Sequence, residues 1–523
     1  MYDFDDLRTL ADISRQQARK HPTAVAMVFQ GRTTTFAELD RTASRVANGL
    51  IAAGQRPQAR IAYFGKNSDR YFEVMLGALK ANVAVVGVNW RLAAPEVAYV
   101  LNDAGCEVLF ADSEFAPLVE KIAAGCPRLR HLITLDIERD RWPHYDAWRD
   151  TQRDDDPQLP IAADDDAIQL YTSGTTGHPK GVQLTHANYL AFFRAAQAAR
   201  WGEFAAGDTN LVAMPNFHVA GTNMGIATLA QGATAVIQRE VEASEILALV
   251  ERHRVKNTFL VPAVIAMLVQ HPNVRGANLS SLRGIFYGAS PIAESLLTAA
   301  QAAFPDCGFT QLYGLTETVG AATALQPADH VAEKGLLRSC GKPYPGIEVR
   351  TVDTDGRTTK PGEVGEIVVR GGVVMKGYWN QPDATAAAIR DGWFHTGDAG
   401  YVDRDGFLYI HDRVKDMIVS GGENVYPAEV ENAVFAHPAV ADVAVIGVPD
   451  DQWGEAVKAI VVLKAGATAT AADVIGFARA LIAGYKVPKS VDFVSALPRN
   501  PSGKILRREL REPYWSGKQR RVN

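Results

Sequence analysis

The sequence has little that would tie it to a membrane, a disulfide frame or a nucleic acid. A bilayer span needs an apolar run of about eighteen residues or more. The nearest candidate, "VMLGALKANVAVVGVN", is shorter and is broken by Lys80. The opening "MYDFDDLRTLADISRQ" is acidic and has no apolar centre, so no signal peptide is expected. Cysteine is scarce. Cys106, Cys126, Cys307 and Cys340 are the only four, and they show no metal-ligand spacing. They read as reduced thiols of a cytoplasmic protein rather than a disulfide frame. No charge sign dominates either. Against 54 Lys and Arg stand 59 Asp and Glu, for a net charge of −5. No basic field favours a nucleic-acid partner, and no stable membrane insertion is expected. The basic end "SGKQRRVN" reads as a solvated tail. Internal repeats and low-complexity tracts are absent.

What is present is length and alternation. A chain of 523 residues is too long for one ordinary core, so more than one domain is expected. From about Thr35 to Leu325 short apolar runs such as "RIAYFG", "EVLFAD", "AIQLYT", "NTFLVP" and "RGIFYG" alternate with helical patterns. This predicts an α/β architecture with largely parallel sheets. "TTFAELDRTASRVANGL" carries Thr35 and Glu38 at capping-box spacing, with Phe36, Leu39, Ala43, Val46 and Leu50 on one helical face. After about Leu336 alternating residues around Asp-Gly and Pro-Gly turns predict antiparallel hairpins. A last α+β unit follows "HDRVKD", His411 to Asp416. The expected domains are therefore 1–413, with a β-rich part over about 336–412, and 414–523. The acidic runs at Asp154 and Asp164 predict an exposed linker.

The densest run of Gly, Ser and Thr is "YTSGTTGHPKGVQLTH", Tyr171 to His186. A strand, "AIQLYT", leads into it, and "HANYLAFFRAAQ" predicts a helix after it. Such a strand–loop–helix unit offers backbone N–H groups, hydroxyls and a cation to an anion. Gly174 and Gly177 allow close backbone approach. Ser173, Thr175 and Thr176 supply hydroxyls, and Lys180 supplies charge. The common phosphate-loop pattern, Gly-x4-Gly-Lys-Ser/Thr, is not met, because His178 and Pro179 separate Gly177 from Lys180. Taken alone, the loop could also be a ligand-free turn.

Five further segments supply context, each with a plain structural alternative. "YGASP" ends a strand with small residues that suit a flat ring. "QLYGLTET" offers an aromatic ring, Thr316 and the carboxylate of Glu317. "GWFHTGD" sets a carboxylate after a turn. "RVKDMIVSGGENVYPAEVE" and "PRNPSGKIL" combine cations with Gly and Pro turns.

With these motifs in this order, the chain resembles the adenylate-forming superfamily of acyl-CoA synthetases, aryl-CoA ligases and peptide-synthetase adenylation domains. The likeness runs from about Leu10 to Leu510. It is strongest to bacterial fatty-acyl-CoA synthetases and coumarate-type ligases. It implies a large N-terminal domain of two α/β sheets plus a β-rich, distorted-barrel subdomain, followed by a small mobile α+β lid. It implies ATP, Mg²⁺ and CoA, and a two-step reaction: a fatty or aryl carboxylate and ATP give acyl-adenylate and pyrophosphate, then the CoA thiol displaces AMP. Carried over, Thr172, Ser173, Gly174, Thr175, Thr176, Gly177 and Lys180 hold the β- and γ-phosphates. Thr316 contacts phosphate and Glu317 holds Mg²⁺. Gly288, Ala289, Ser290, Gln311, Tyr313 and Gly314 line the adenine site. Asp398 and Arg413 hold the ribose. Lys504 bridges carboxylate and α-phosphate. Lys415 matches the hinge, and Ser420, Gly421, Gly422, Glu423 and Asn424 face CoA after the lid swings. Pro498, Gly503 and Lys504 also fit a Pro-x4-Gly-Lys pattern that resembles lysine-acylation targets, so an acetyltransferase and a deacylase acting on Lys504 are candidate partners, as is a second copy of the chain.

The acyl pocket is expected around His218, Val219, Gly221, Thr222, Leu312, Val319 and Gly320. His218 stands where amino-acid-activating relatives carry an Asp, so amino acids are disfavoured. His218 is also a candidate gate. Leu312 replaces the Gly found before this Tyr in many relatives, which predicts a narrowed or redirected pocket. Three rivals stay open: a free-standing enzyme loading an acyl carrier protein, a phosphohydrolase or kinase, and a non-catalytic nucleotide binder.

Overall fold

The computed structural model describes residues 4–137, 142–172, 179–199, 204–413, 416–420, 423–450, 453–499 and 505–516. Two large sheets dominate the first part. In the nine-stranded sheet, Gly284–Gly288 lies between Gly308–Tyr313 and Asn257–Leu260, parallel to both. The seven-stranded sheet centres on Ala84–Gly87, with Arg60–Phe64 on one side and Asp166–Thr172 on the other. Parallel strands joined by helices must be covered on both faces, which explains their nearly unbroken apolar runs. The helix Phe36–Ala52 begins as the sequence predicts. Thr35 accepts from the Glu38 backbone N–H, Glu38 returns the bond, and Phe36, Leu39, Ala43, Val46 and Leu50 are buried. One continuous core takes residues from this helix, from Asp69–Lys80 and from both sheets.

The predicted hairpins appear in a five-stranded sheet, with Ile347–Val352 antiparallel to Gly365–Gly371 and Trp393–Val402 antiparallel to Leu408–Arg413. Not all of this stretch stays together. Lys342–Pro343 joins the nine-stranded sheet, and Gly377–Tyr378 joins the seven-stranded one. Beyond Asp416 a separate sheet pairs Val440–Asp450 with Gly454–Leu463 under the helices Pro427–Phe435 and Ala471–Arg479, with its own apolar core.

Two expectations gain detail here. Between the acidic runs the chain is exposed or half-buried, as expected, and Asp154, Asp155 and Asp164 are exposed with it, but each run ends in an Asp that turns inward. At one end Asp156 binds Arg15 and Lys80, whose fully buried ammonium also meets Asp40 and Ser44. At the other end buried Asp166 pairs with buried Arg60. A buried ammonium or guanidinium needs such partners to offset its lost hydration. The helix expected at "HANYLAFFRAAQ" is found as His186–Ala198, but the segment before it is not all loop. Lys180–Thr185 folds back as a strand, pairing Thr172 with Lys180, and the helix His186–Ala198 starts only after it. Its first turn is closed by its own capping pair, Thr185 and Asn188. Asp166–Thr172 and Lys180–Thr185 are therefore an antiparallel pair, and the helix N-terminus lies beyond the second of them.

Candidate active site

Strand ends build the site. Gly308–Tyr313 alternates its side chains, as a strand must. Leu312 points to one face and lines a large cavity. Gln311 and Tyr313 point to the other, toward the five-stranded sheet. There the Tyr313 hydroxyl donates to Asp398 Oδ2 at 2.8 Å, and the Asp398 backbone N–H donates to Thr396. Asp398 is opposite Arg413 in the strand register. The aromatic ring and the carboxylate expected at adenine and ribose are thus joined by one hydrogen bond. The Gln311 amide instead reaches back to the Cys340 sulfur at 3.5 Å and lies behind its strand.

The neighbouring strand ends at Gly288, where an added Cβ would meet the Leu312 carbonyl oxygen at 2.3 Å. Only glycine fits that approach. Ala289 follows with φ +68°, an uncommon conformation for a residue with a side chain. Such local strain gathers at ligand sites. Ala289, Gly314, Thr316, Glu317 and Lys180 border the same cavity, of about 2460 Å³, and Ser290 is half-buried beside Ala289.

Glu317 sits on a short 3₁₀ turn, Thr316–Thr318, and is 8 % exposed. Tyr378 donates its hydroxyl to Glu317 Oε1 at 2.9 Å, and the Lys180 ammonium stands over the Tyr378 ring at 4.7 Å. Tyr378 escaped the sequence reading because an aromatic beside Trp379 carries no catalytic signal. Only strand pairing brings it to Glu317. Glu317 and Thr316 offer hard oxygen donors, which suit Mg²⁺. Among the described residues no group of three or more His, Cys, Asp or Glu could hold a metal unaided. Phosphate oxygens would complete the shell, as is usual for Mg²⁺.

The cavity wall where the acyl pocket is expected is formed by the helix Val219–Ala230. Val219, Ala220, Asn223, Met224 and Ala227 face the cavity, with Gln231 just past the end. The opposite stripe faces the core. An added Cβ at Gly221 would meet the Met214 carbonyl oxygen at 2.3 Å, and one at Gly225 would meet the Phe72 ring. Thr222 is fully buried, bonded to the Asn216 carbonyl and the Tyr71 hydroxyl. Gly221 and Thr222 therefore support the pocket from behind and do not line it, because helical periodicity turns them away. Val319 is corrected likewise. Its side chain is buried in the core, and it is Gly320, at φ +90°, that faces Asn223 and Val219.

His218 caps this helix, packs on Phe217 and lines the cavity. Burial, and secondarily the charge of Arg91, lowers its pKa to about 4. A histidine normally titrates near 6.5, so folding favours the neutral ring here. Its contribution to stability is complete above about pH 6.5 and is lost as pH falls toward 4. The pH–rate profiles of wild type and His218→Asn should share one shape between about pH 6 and 8. A limb near 6.5 seen only in the wild type would contradict this.

Ser173, Gly174, Thr175, Thr176, Gly177, Lys415, Gly421, Gly422 and Lys504 lie outside the described residues, as do the side chains of Arg413, Glu423 and Asn424. Ser420 is buried and paired with Glu423 across a short hairpin.

Residues 14–379 match the family described as AMP-binding enzyme, and residues 429–504 match the AMP-binding enzyme C-terminal domain. The chain is 41% identical over 520 residues to the fatty acid–[acyl-carrier-protein] ligase ScoC of Streptomyces coeruleorubidus, covering 99% of this chain and 98% of that one. It is 41% identical over 500 residues to a feruloyl-CoA synthase of an Amycolatopsis species, covering 95% and 98%. A solved Mycobacterium tuberculosis fatty acyl CoA synthetase superposes with a TM-score of 0.76 at 33% identity, covering 98% and 100%. Among the described residues no helix is long and apolar enough to cross a membrane. The chain belongs to the AMP-binding enzyme family of adenylate-forming acid–thiol ligases.

Proposed function

We propose that this ligase activates carboxylic acids with a medium or long apolar body and passes the acyl group to the thiol of CoA. The observation that carries the substrate class is the length of the apolar cavity. It follows one face of Val219–Ala230 from Gly314 and Thr316 to Gln231 and His21, walled by Phe192, Phe193 and Phe286. Twelve residue steps along a helix span about 18 Å. Leu312 forms part of the wall beside Phe286, and the cavity continues past it to Met224 and Ala227. Along this helix the lining is mainly apolar, with Asn223 and Gln231 as its polar groups, which suits a fatty or aryl-alkyl acid.

In the first half-reaction a carboxylate oxygen bonds to the α-phosphorus of ATP, the bond to the β-phosphate oxygen breaks, and pyrophosphate leaves. In the second, the CoA sulfur bonds to the acyl carbon and AMP departs. The first step gathers anions, so its barrier is electrostatic, and cations with aimed N–H donors lower it most. Thr172, residues 173–177 and Lys180 would hold the β- and γ-phosphates. Thr316 and Glu317 would hold Mg²⁺, which when bound neutralises phosphate charge. Gly288, Ala289 and Tyr313 would bracket adenine, with Asp398 and Arg413 on the ribose. Lys504, carried on the C-terminal unit, would supply charge at the reacting phosphate. The segment 420–424 would then receive CoA after the unit turns about Lys415.

The likeness to a ligase named for an acyl carrier protein favours one second reading, delivery to a carrier thiol. Pyrophosphate release should be measured across straight-chain acids from acetate upward and across aryl acids. Thioester formation is then followed with CoA and with holo-carrier protein in separate arms. The expected result is strong release with medium and long acids, weak release with acetate, and transfer to CoA. Transfer only to the carrier protein would move the assignment to the second reading. No release with any acid would overturn both.

A further inference from the structure

Lys180 and Glu317 have opposite charges and border one cavity. Left to themselves they would attract each other across a partly desolvated gap, where charges interact more strongly than in water. Yet Lys180 forms no ion pair among the described residues. Its ammonium stands over the Tyr378 ring at 4.7 Å, and the hydroxyl of that same ring donates to Glu317 Oε1 at 2.9 Å. A ring face attracts a cation, and a phenolic hydroxyl can donate to a carboxylate. Tyr378 therefore occupies both groups through different parts of one side chain.

The backbone that carries Tyr378 is fastened from several sides. Gly377 and Tyr378 pair antiparallel with Gln183 and Val182, on the strand that begins at Lys180. The Tyr378 backbone N–H donates to Thr385 Oγ1 at 2.9 Å. On either side, Lys376 binds Asp166 at 3.1 Å, and the Trp379 backbone N–H donates to the Gly181 carbonyl at 2.7 Å. The Trp379 indole N–H donates to the Asp103 carbonyl at 2.8 Å, and the Arg60 guanidinium lies over the Trp379 ring at 3.5 Å. Both neighbours of Tyr378 are thus tied to the seven-stranded sheet.

We infer that Tyr378 is a positioning residue that holds the Lys180 ammonium and the Glu317 carboxylate apart and oriented, one for phosphate and the other for the divalent ion. This rests on the proposed roles of Lys180 and Glu317. Residues that hydrogen-bond a metal-binding carboxylate tune metal affinity, commonly by 10- to 100-fold.

Two substitutions separate the two contacts. Tyr378→Phe keeps the ring under Lys180 and removes the hydroxyl from Glu317. Tyr378→Leu removes both. Mn²⁺, a paramagnetic stand-in for Mg²⁺, is titrated into the full-length enzyme with ATP and followed by electron paramagnetic resonance. ATP affinity is measured separately by calorimetry without metal, and folding is checked by thermal unfolding. Tyr378→Phe is expected to weaken Mn²⁺ binding about 10-fold and to change metal-free ATP affinity less than 2-fold. Tyr378→Leu should weaken both, because Lys180 is then free to turn toward Glu317. Glu317→Gln is the control for the underlying reading. If Glu317→Gln weakens Mn²⁺ binding and folded Tyr378→Phe does not, the role of Tyr378 is wrong while that of Glu317 stands. If Glu317→Gln leaves Mn²⁺ binding unchanged, the assignment of Glu317 fails and the inference falls with it. Equal losses of metal and ATP affinity in Tyr378→Phe would also overturn it.

Discussion

Lys504→Ala will slow acyl-adenylate formation by about 10²–10³-fold, the usual loss when one aimed electrostatic group is removed from a reacting centre. The reason is a charge balance. ATP and the carboxylate are both anionic, and the first step forces a carboxylate oxygen against the α-phosphorus. Lys180 stands opposite Thr172 in the strand register, over the Tyr378 ring. In the proposed mechanism its charge serves the departing phosphates. A second cation is needed at the reacting atoms, and Lys504, in the Pro- and Gly-containing segment "PRNPSGKIL", is the candidate. A compact ammonium on a flexible stem suits a group that must arrive and leave. Once the adenylate exists, the carboxylate charge is gone and the thiol attacks a neutral acyl carbon. Thioester formation from pre-made acyl-adenylate should therefore fall far less. Single-turnover assays of each half-reaction measure the difference. Equal losses in both would remove Lys504 from the adenylation step.

Ala227→Trp should invert the preference for chain length. Ala227 is half-buried on the cavity face of Val219–Ala230, two turns beyond Ala220. An indole there would close the far part of the cavity and leave the end at Thr316 open. Burying each methylene contributes about 0.8 kcal/mol. A plug that denies roughly four of them therefore costs ~3 kcal/mol. That is about 10²-fold in kcat/KM for long acids, with acids short enough to stop before Ala227 little changed. Thermal unfolding checks that the indole has filled space rather than forced the helix away. A uniform loss across chain lengths, or none, would show that the acyl chain takes another path.

Much of the fold was written locally. The capping box at Thr35 and the five apolar positions after it specify one helix and its buried face, since both signals act within a few residues of chain. The same holds for the hairpins around 347–371 and 393–413, where turn residues and alternation agree. The exposure of the linker was legible, but the inward turn of Asp156 and Asp166 was not, because the Asp residues at 154–156 and 164–166 look alike in sequence. Asp156 and Asp166 leave the surface only because Lys80 and Arg60, distant in the chain, need partners in the interior.

Among the site residues, sequence by itself determined the chemistry on offer: the Gly/Ser/Thr-rich loop, Glu317, Asp398 and Lys504 are all legible as motifs in order. The tertiary structure alone decided direction and company. It turned Gly221, Thr222 and Val319 into the core and left Ala220, Asn223, Ala227 and Gly320 on the cavity. It paired Lys180–Thr185 back against Asp166–Thr172 ahead of the helix, and it brought Tyr378 between Lys180 and Glu317. The reason is one of range. Motifs report which groups a chain carries, whereas helix phase, strand register and long-range pairing decide which of those groups share a wall.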